Sequence, residues 1–261
     1  MKLEARGITV DVRDRRIVAE ASLAISSGEL VGLIGPNGAG KSTLTKAMLG
    51  IRARNSGSVT LDSQDFFGLS ARERARRVAF LPQERRVEWR LPAHDIVMLG
   101  RYPHQSGFGG PTPEDRTAVR RAMEAVDAEA LADRPVVVLS SGERTRILLA
   151  RALAVEAPIL IVDEPTNALD PYHQLHVMEI LQGLARKGVG VLAVVHDLAL
   201  AARFMDRLVL MNMGAVAAEG SPGEVLSPDR LASVYRIEAV RGDSGGRTWL
   251  LPWSRRTDAP S

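Results

Sequence analysis

The sequence predicts an α/β fold: a mainly parallel sheet alternating with helices, an antiparallel β side sheet at the N-terminus, and an inserted helical subdomain. Three observations carry that expectation. Short, almost continuously apolar runs at 29–35, 78–81, 158–164 and 189–195 read as strands buried on both faces, with helical patterns between them. The first 27 residues and Gly57-Ser58-Val59-Thr60-Leu61 alternate in short stretches, which suits antiparallel strands. The stretch 84–138 is helical and loop-rich. A chain of 261 residues that is 45% hydrophobic holds enough apolar material for one sizeable domain with an insert.

The elements follow in order. After the run at 29–35 a glycine loop gives way to a helix beginning near Ser42, and Ala-Arg-Glu-Arg-Ala-Arg-Arg at 71–77 reads as a solvated helix face. In the insert, Thr112-Pro113-Glu114-Asp115 is a helix start, followed by Ala118, Val119, Ala122, Met123 and Val126 on one face. Arg144 to Ala154 is a long apolar-striped helix. His173 to Arg186 places Val177, Met178, Leu181 and Leu184 on one stripe before Lys187-Gly188 stops it. Ser221-Pro222-Gly223-Glu224 and Ser227-Pro228-Asp229 are two more helix starts, so 221–261 is expected to be a C-terminal helical extension with a fraying tail from 254. The organisation expected is a single domain over 1–261, its core formed by 1–83 and 139–220 and its helical insert by 84–138.

Composition removes several classes of function. Lys+Arg 34 against Asp+Glu 31 leaves a net charge of +3, with a pI near 9.6. Only Lys2, Lys41, Lys46 and Lys187 are lysines, and the arginines are spread beside acids along the chain. That dispersion argues against nucleic acid as a partner. The absence of cysteine excludes a disulfide scaffold, cysteine-ligated metal centres and thiol catalysis. The opening residues are charged rather than leader-like, and the longest apolar runs fall short of the about 18 residues a membrane span needs, so the chain is not expected to cross a membrane. His94, His104, His173 and His176 are irregularly spaced and read as surface histidines, not a metal site.

Gly35-Pro36-Asn37-Gly38-Ala39-Gly40-Lys41-Ser42 fits the pattern GxxxxGK[ST] between a predicted strand and a predicted helix. Glycines let successive backbone N–H groups turn toward a phosphate chain, and the helix adds its positive dipole end. Lys41 is placed to reach the β- and γ-phosphates and Ser42 to ligate magnesium, with Thr43 beside it in the nucleotide-binding set. The strand Ile159-Leu160-Ile161-Val162-Asp163-Glu164 ends in two carboxylates. Asp163 is expected to hold a magnesium shell through water, and Glu164 to polarise a water for in-line attack on the γ-phosphate. Leu139-Ser140-Ser141-Gly142-Glu143 opens another helix N-terminus suited to a phosphate, redundant in a single-site enzyme. Asn167-Ala168-Leu169-Asp170 follows the acidic strand, His196-Asp197 ends the next one, and Gln83 follows Val78-Ala79-Phe80-Leu81-Pro82.

This ordered set resembles the ABC ATPases from about residue 3 to residue 235. The resemblance implies a RecA-like P-loop core, ATP and magnesium as cofactors, and a head-to-tail dimer. In that dimer the loop Gly35 to Thr43 of one copy and Ser140, Ser141, Gly142 and Glu143 of a second copy enclose ATP. It further implies that Gln83 senses magnesium and the attacking water and links to the insert, that His196 contacts the γ-phosphate, and that Asp170 organises the dimer seam. With Lys41, Ser42, Gln83, Asp163, Glu164 and His196 all present, an active ATPase is expected, the magnesium set being Ser42, Gln83 and Asp163.

Val97-Met98-Leu99-Gly100-Arg101-Tyr102-Pro103-His104 resembles the LGRxPH segment of the ATPases serving iron-siderophore, haem and cobalamin importers, and 169–174 and 196–202 resemble the same branch. The implied partners are a separate membrane permease and, indirectly, a substrate-binding protein; the implied location is peripheral, on the cytoplasmic face of the inner membrane. Four positions depart from the family pattern. Ser141 replaces the first signature glycine, and both weaker dimer closure and an added hydroxyl contact are compatible with it. Thr145 stands for a glutamine and Asn167 for a serine. Where an aromatic normally stacks on adenine there are only Val12 and Arg13, with Arg13 or Arg15 as stacking substitutes. The alternatives are a non-transport ABC protein or a regulatory nucleotide-binding protein with weak or no turnover.

Overall fold

The computed structural model describes residues 1–83, 90–105, 110–244 and 247–256. At the N-terminus β1 (Lys2–Val12) and β2 (Arg15–Ser26) pair antiparallel, and register shifts along β1 mark bulges that curve the ribbon. Next in the chain come β3 (Leu30–Ile34), α1 (Lys41–Met48), β4 (Ser56–Leu61) and β5 (Gln64–Asp65). β4 and β5 complete the first sheet in the order β2-β1-β4-β5. This is the antiparallel side sheet expected from the alternation.

The stretch 71–77 forms α2 (Ala71–Arg77) with no buried residue, capped by Ser70 and Glu73 reciprocally, and runs directly into β6 (Val78–Leu81). The insert then contributes α3 (Ala93–Met98), a 3-10 turn at Leu99–Arg101, and α4 (Pro113–Glu124) with its cap on Thr112. Within 84–138 the described residues are helical or loop, while 84–89 and 106–109 lie outside them. α5 (Ser141–Leu153) starts three residues before the expected helix because Ser140 and Glu143 form a capping box. Gly100 packs so tightly on α5 that a Cβ would lie 2.2 Å from the Arg151 carbonyl oxygen.

β7 (Ile159–Asp163), α6 (Pro171–Arg186), β8 (Gly190–Val194), α7 (Leu198–Phe204), β9 (Arg207–Asn212) and β10 (Ala215–Gly220) complete the core. The main sheet has the order β10-β9-β3-β8-β7-β6, parallel except for β10. Every residue of β3, β7 and β8 is buried. Their side chains nevertheless alternate between two cores. Leu30, Leu160, Val162, Val191 and Ala193 face the helices, while Val31, Leu33, Ile159, Ile161, Leu192 and Val194 face α1 and the side sheet. The sheet is therefore a shared wall, as continuous apolar strands require.

The C-terminal expectation needs correction. Among the described residues of 221–261, helical structure is confined to α8 (Pro222–Val225), α9 (Pro228–Arg230) and a π-helical turn at Leu231–Tyr235. Beyond it β11 (Ile237–Ser244) and β12 (Arg247–Arg255) form an antiparallel ribbon. Alternation through Ile237 to Val240 and Trp249 to Trp253, around Asp243-Ser244-Gly245-Gly246, is a hairpin signal that outweighs the helix starts upstream. β12 lies along α7, with Leu250 buried. Of the expected fraying tail, 254 and 255 are strand, and 257–261 lie outside the described residues. Among the described residues no helix is long and apolar enough to cross a membrane.

Candidate functional site

The carboxyl ends of β3, β6, β7 and β8 converge on one edge of the main sheet, where open α/β sheets place their ligands. The chain leaves β3 at Gly35, whose φ of 147° and position 2.2 Å (as a built Cβ) from the Met211 carbonyl oxygen leave no room for a side chain. Gly40, in the left-handed region at φ 96°, delivers the chain into α1. Lys41 Nζ donates back to the carbonyl oxygens of Gly35 at 2.7 Å and Pro36 at 3.0 Å. Burial lowers the pKa of this ammonium, and the nearby carboxylates of Glu164 and Asp163 oppose the shift.

Asp163 is fully buried. Ser42 Oγ donates to its Oδ1 at 3.2 Å, while Oδ2 has no hydrogen-bond partner. Burial raises its pKa, against the hydrogen bond from Ser42. An orphaned carboxylate oxygen beside a hydroxyl is a donor set suited to a hard dication, so the residues present fit magnesium. Glu164 follows in the left-handed region, φ 54°, its N–H donating to the Val194 oxygen at 3.1 Å. This turn swings the carboxylate out of the sheet: Oε1 meets His196 Nε2 at 2.5 Å, and Oε2 accepts from Asn167 Nδ2 at 3.3 Å. The two acids ending one strand are both buried but have different surroundings, Asp163 with an unpartnered oxygen and Glu164 lining the cleft with both oxygens engaged.

Asn37 to Thr43, Gln83, Glu164 and His196 line a single cleft of about 650 Å³. Its far wall is Arg15, Arg16, Ile17, Met213 and Gly214. The expectation at Val12 and Arg13 is therefore corrected by a few residues: Arg13 sits in the β1–β2 turn at φ 54°, and neither residue lines the cleft. Of the stacking substitutes only Arg15 does, beside Met213, which is 89% exposed. Met213 escapes a sequence reading because it belongs to a turn between β9 and β10, far from any phosphate-loop signal. Thr166, Gln174 and Asp197 line an adjoining cleft with Gln83, Glu164 and His196.

The signature residues are not brought to this cleft. Ser140 and Ser141 are exposed, Ser140 and Glu143 cap α5 reciprocally, and Arg134 Nη1 donates to Glu143 Oε1 at 2.9 Å. Thr145 is buried and its hydroxyl donates to the Ser141 oxygen at 2.9 Å. Asp170 is the N-cap of α6, accepting from the His173 N–H at 3.0 Å. Pro171 at the first turn and the Asp170 cap explain why α6 begins earlier than its apolar stripe. The histidines read as surface residues are each partly buried, and His104 Nε2 lies 2.9 Å from the Val155 oxygen.

A glycine loop closing on a helix N-terminus, beside a buried strand ending in two carboxylates, defines a phosphate-loop nucleotide-binding protein. The ABC transporter family matches residues 18–167. The chain belongs to that family. It is 40% identical over 262 residues to the cobalamin import ATP-binding protein BtuD of Halobacterium salinarum, covering 99% of this chain and spanning only 65% of that relative's length. It is 41% identical over 255 residues to the hemin import ATP-binding protein HmuV of Rhodococcus jostii, covering 96% of this chain and 86% of the relative. With the iron(3+)-hydroxamate import ATP-binding protein FhuC of Bacillus subtilis it shares 39% identity over 238 residues, covering 91% and 88%. Among solved structures, an inward-facing metal-chelate type ABC transporter superposes with a TM-score of 0.82 at 24% identity, over 97% of each chain. A dimeric bacterial ABC transporter cassette gives 0.76 at 26% identity, over 84% of this chain and 98% of the other.

Proposed function

We propose that the chain is the ATP-hydrolysing subunit of an ABC importer. In this reading 1–261 is one ATPase domain whose insert 84–138 faces a separate permease. The observation that carries the proposal is Glu164, held by His196 and Asn167 at the mouth of the cleft that Lys41 and Ser42 line. Lys41 exchanges its two loop carbonyls for the phosphates of ATP, a charge-assisted contact in a water-poor site. Ser42 and Asp163, with Gln83, hold magnesium, which supplies charge neutralisation across the phosphates. Glu164 takes the proton of the attacking water, and His196, already paired with it, keeps the carboxylate aimed and contacts the γ-phosphate.

The exposed signature segment and the exposed Asp170 carboxylate are read as the surface that completes the site of a second copy. A dimeric cassette among its structural neighbours supports that reading. The relatives named for import of cobalamin, hemin and iron(3+)-hydroxamate support a cargo in the class of metal chelates, delivered through the permease by a substrate-binding protein. The chain would then work as a peripheral subunit on the cytoplasmic face of the inner membrane, with no nucleic-acid partner. Steady-state phosphate release tests the assignment. Glu164→Gln is expected to keep ATP binding and lower turnover by about 10²- to 10⁴-fold, the range for loss of a general base. A parent chain without turnover, alone and with its co-purified permease, overturns it in favour of the regulatory reading.

A further inference from the structure

The two residues that join β9 to β10, Met213 and Gly214, both have left-handed backbones, φ 48° and 87°, and Asn212 pairs directly with Ala215. This is a two-residue hairpin turn of type I′, which favours asparagine or aspartate ahead of its glycine. Methionine in the first position strains the backbone and leaves an apolar side chain 89% exposed. Neither choice helps the fold. A side chain placed there for a ligand accounts for both.

The turn is tied to the phosphate loop through its backbone. Gly214 donates its N–H to the Ala39 oxygen at 3.2 Å, and its own oxygen accepts from the Ala19 N–H at 2.9 Å. Gly40 packs against the same part of β2, where a Cβ would lie 2.7 Å from the Ile17 oxygen. The cleft therefore runs from Lys41 and Ser42 to a wall of Arg15, Arg16, Ile17, Met213 and Gly214. With the phosphates held at the loop, that wall faces the end of the cleft left for the base.

Its chemistry suits the face of a base and not the edge. Met213 offers a polarisable thioether to a ring, and Arg15 a planar guanidinium that stacks on one. Arg16 is engaged elsewhere, its Nε donating to Asp11 Oδ1 at 3.0 Å. Among the described residues of this wall there is no carboxylate, amide, hydroxyl or aromatic side chain. Its polar side chains are guanidinium groups, which cannot accept from the exocyclic amino group that marks adenine. A site rejects an analogue strongly only where its own buried polar groups lose their partners. Adenine and guanine differ along the edge and share one bicyclic face.

We propose that the cleft takes purine nucleoside triphosphates as a class, GTP alongside ATP, with Met213 and Arg15 holding the base by its face. The proposal rests on the reading that the loop binds the phosphates of ATP, and it widens the substrate class of that site.

Displacement of N-methylanthraniloyl-ATP in the presence of magnesium gives the affinities of ATP, GTP and CTP for the parent, Met213→Gly, Arg15→Ala and Lys41→Ala. In the parent GTP is expected to bind within about threefold of ATP, and CTP about fivefold more weakly for its smaller stacking face. Met213→Gly takes φ 48° freely, so its melting temperature stays within about 2 °C of the parent. It weakens ATP and GTP equally, by roughly twofold to tenfold, and Arg15→Ala weakens both by roughly twofold to fivefold. A parent that binds ATP but takes GTP more than about tenfold more weakly overturns the proposal. So does CTP binding as tight as that of ATP, a variant that loses one purine alone, or a Met213→Gly protein with parental affinities. A parent that binds neither purine, or a Lys41→Ala chain that binds both as the parent does, overturns the nucleotide reading itself.

Discussion

At Asp163 a fully buried carboxylate keeps one oxygen without a partner, and such a group destabilises the fold wherever it is charged. Its folded pKa is raised by burial from an ordinary value of 3.8. The stabilising contribution of the protonated form is thus fully present below that value and lost as pH rises through the folded pKa. Asp163→Asn retains an acceptor for Ser42 and removes the charge. The variant is expected to be about 1 kcal/mol more stable than the parent at neutral pH in chelator. That advantage vanishes under acid conditions, and the variant loses magnesium-dependent stabilisation by ATP; thermal unfolding across pH, with and without magnesium and ATP, reads all three. This residue, Lys41 and Glu164 are legible in the sequence because their chemistry is written at fixed spacing within one strand or loop. Arg15 is read there as a stacking substitute, whereas Met213 is not legible, because the wall the two line joins two sheets and nothing local in the β9–β10 turn signals the β1–β2 turn.

Among the elements, the helix starts are the most legible feature. Thr112 with Asp115, Ser140 with Glu143 and Ser221 with Glu224 all form reciprocal capping boxes, since a cap involves only residues three apart. The insert's attachment to the core depends instead on distant partners. Arg101 Nε donates to Asp115 Oδ1 at 2.8 Å and its Nη1 to the Ala154 oxygen at 2.8 Å and Glu156 Oε2 at 3.0 Å. The Arg101 and Asp115 side chains are 8% and 4% exposed. Asp115 caps α4 and pairs the arginine at once, so Asp115→Ala is expected to cost about 3 kcal/mol by removing the cap and the buried partner of Arg101 Nε together, leaving the cation only the more exposed Glu156. The Arg101 hydrogen bond is the main cause of a lowered Asp115 pKa. Its stabilisation is present above the ordinary carboxylate pKa and lost as pH falls through the folded one, so the parent and Asp115→Ala converge in urea unfolding at acid pH. Arg101 itself reads in sequence only as part of an LGRxPH-like segment. The C-terminal ribbon is the opposite case: its alternation is local, yet two helix starts immediately upstream mask it.

Across the whole molecule, two cores share the main sheet, and that division follows from the period-2 alternation within strands that look uniformly apolar. Among the described residues, neither cleft at the phosphate-loop edge is lined by the chain's own signature segment. Ser141 lies on the exposed start of α5, so its effect is read between copies. Light scattering and turnover of Ser141→Gly compare dimer closure directly: tighter association in the variant assigns the serine a weakening role, and poorer association assigns its hydroxyl a contact.

The same separation has a genetic consequence. If every complete site draws its phosphate loop from one copy and its signature from another, two inactive alleles can repair each other. A Lys41→Ala chain and a Ser140→Arg chain, each without turnover alone, would pair at random in a cell expressing both. Symmetry then gives about one intact site in four relative to the parent, because half the dimers are mixed and each mixed dimer pairs its two lesions in one site and leaves the other whole. Recovery of about a quarter of parental ATPase activity on mixing the purified variants is the expected result, and no recovery assigns both lesions to a site within one chain. Dominance and complementation are, for this protein, readouts of where one helix begins.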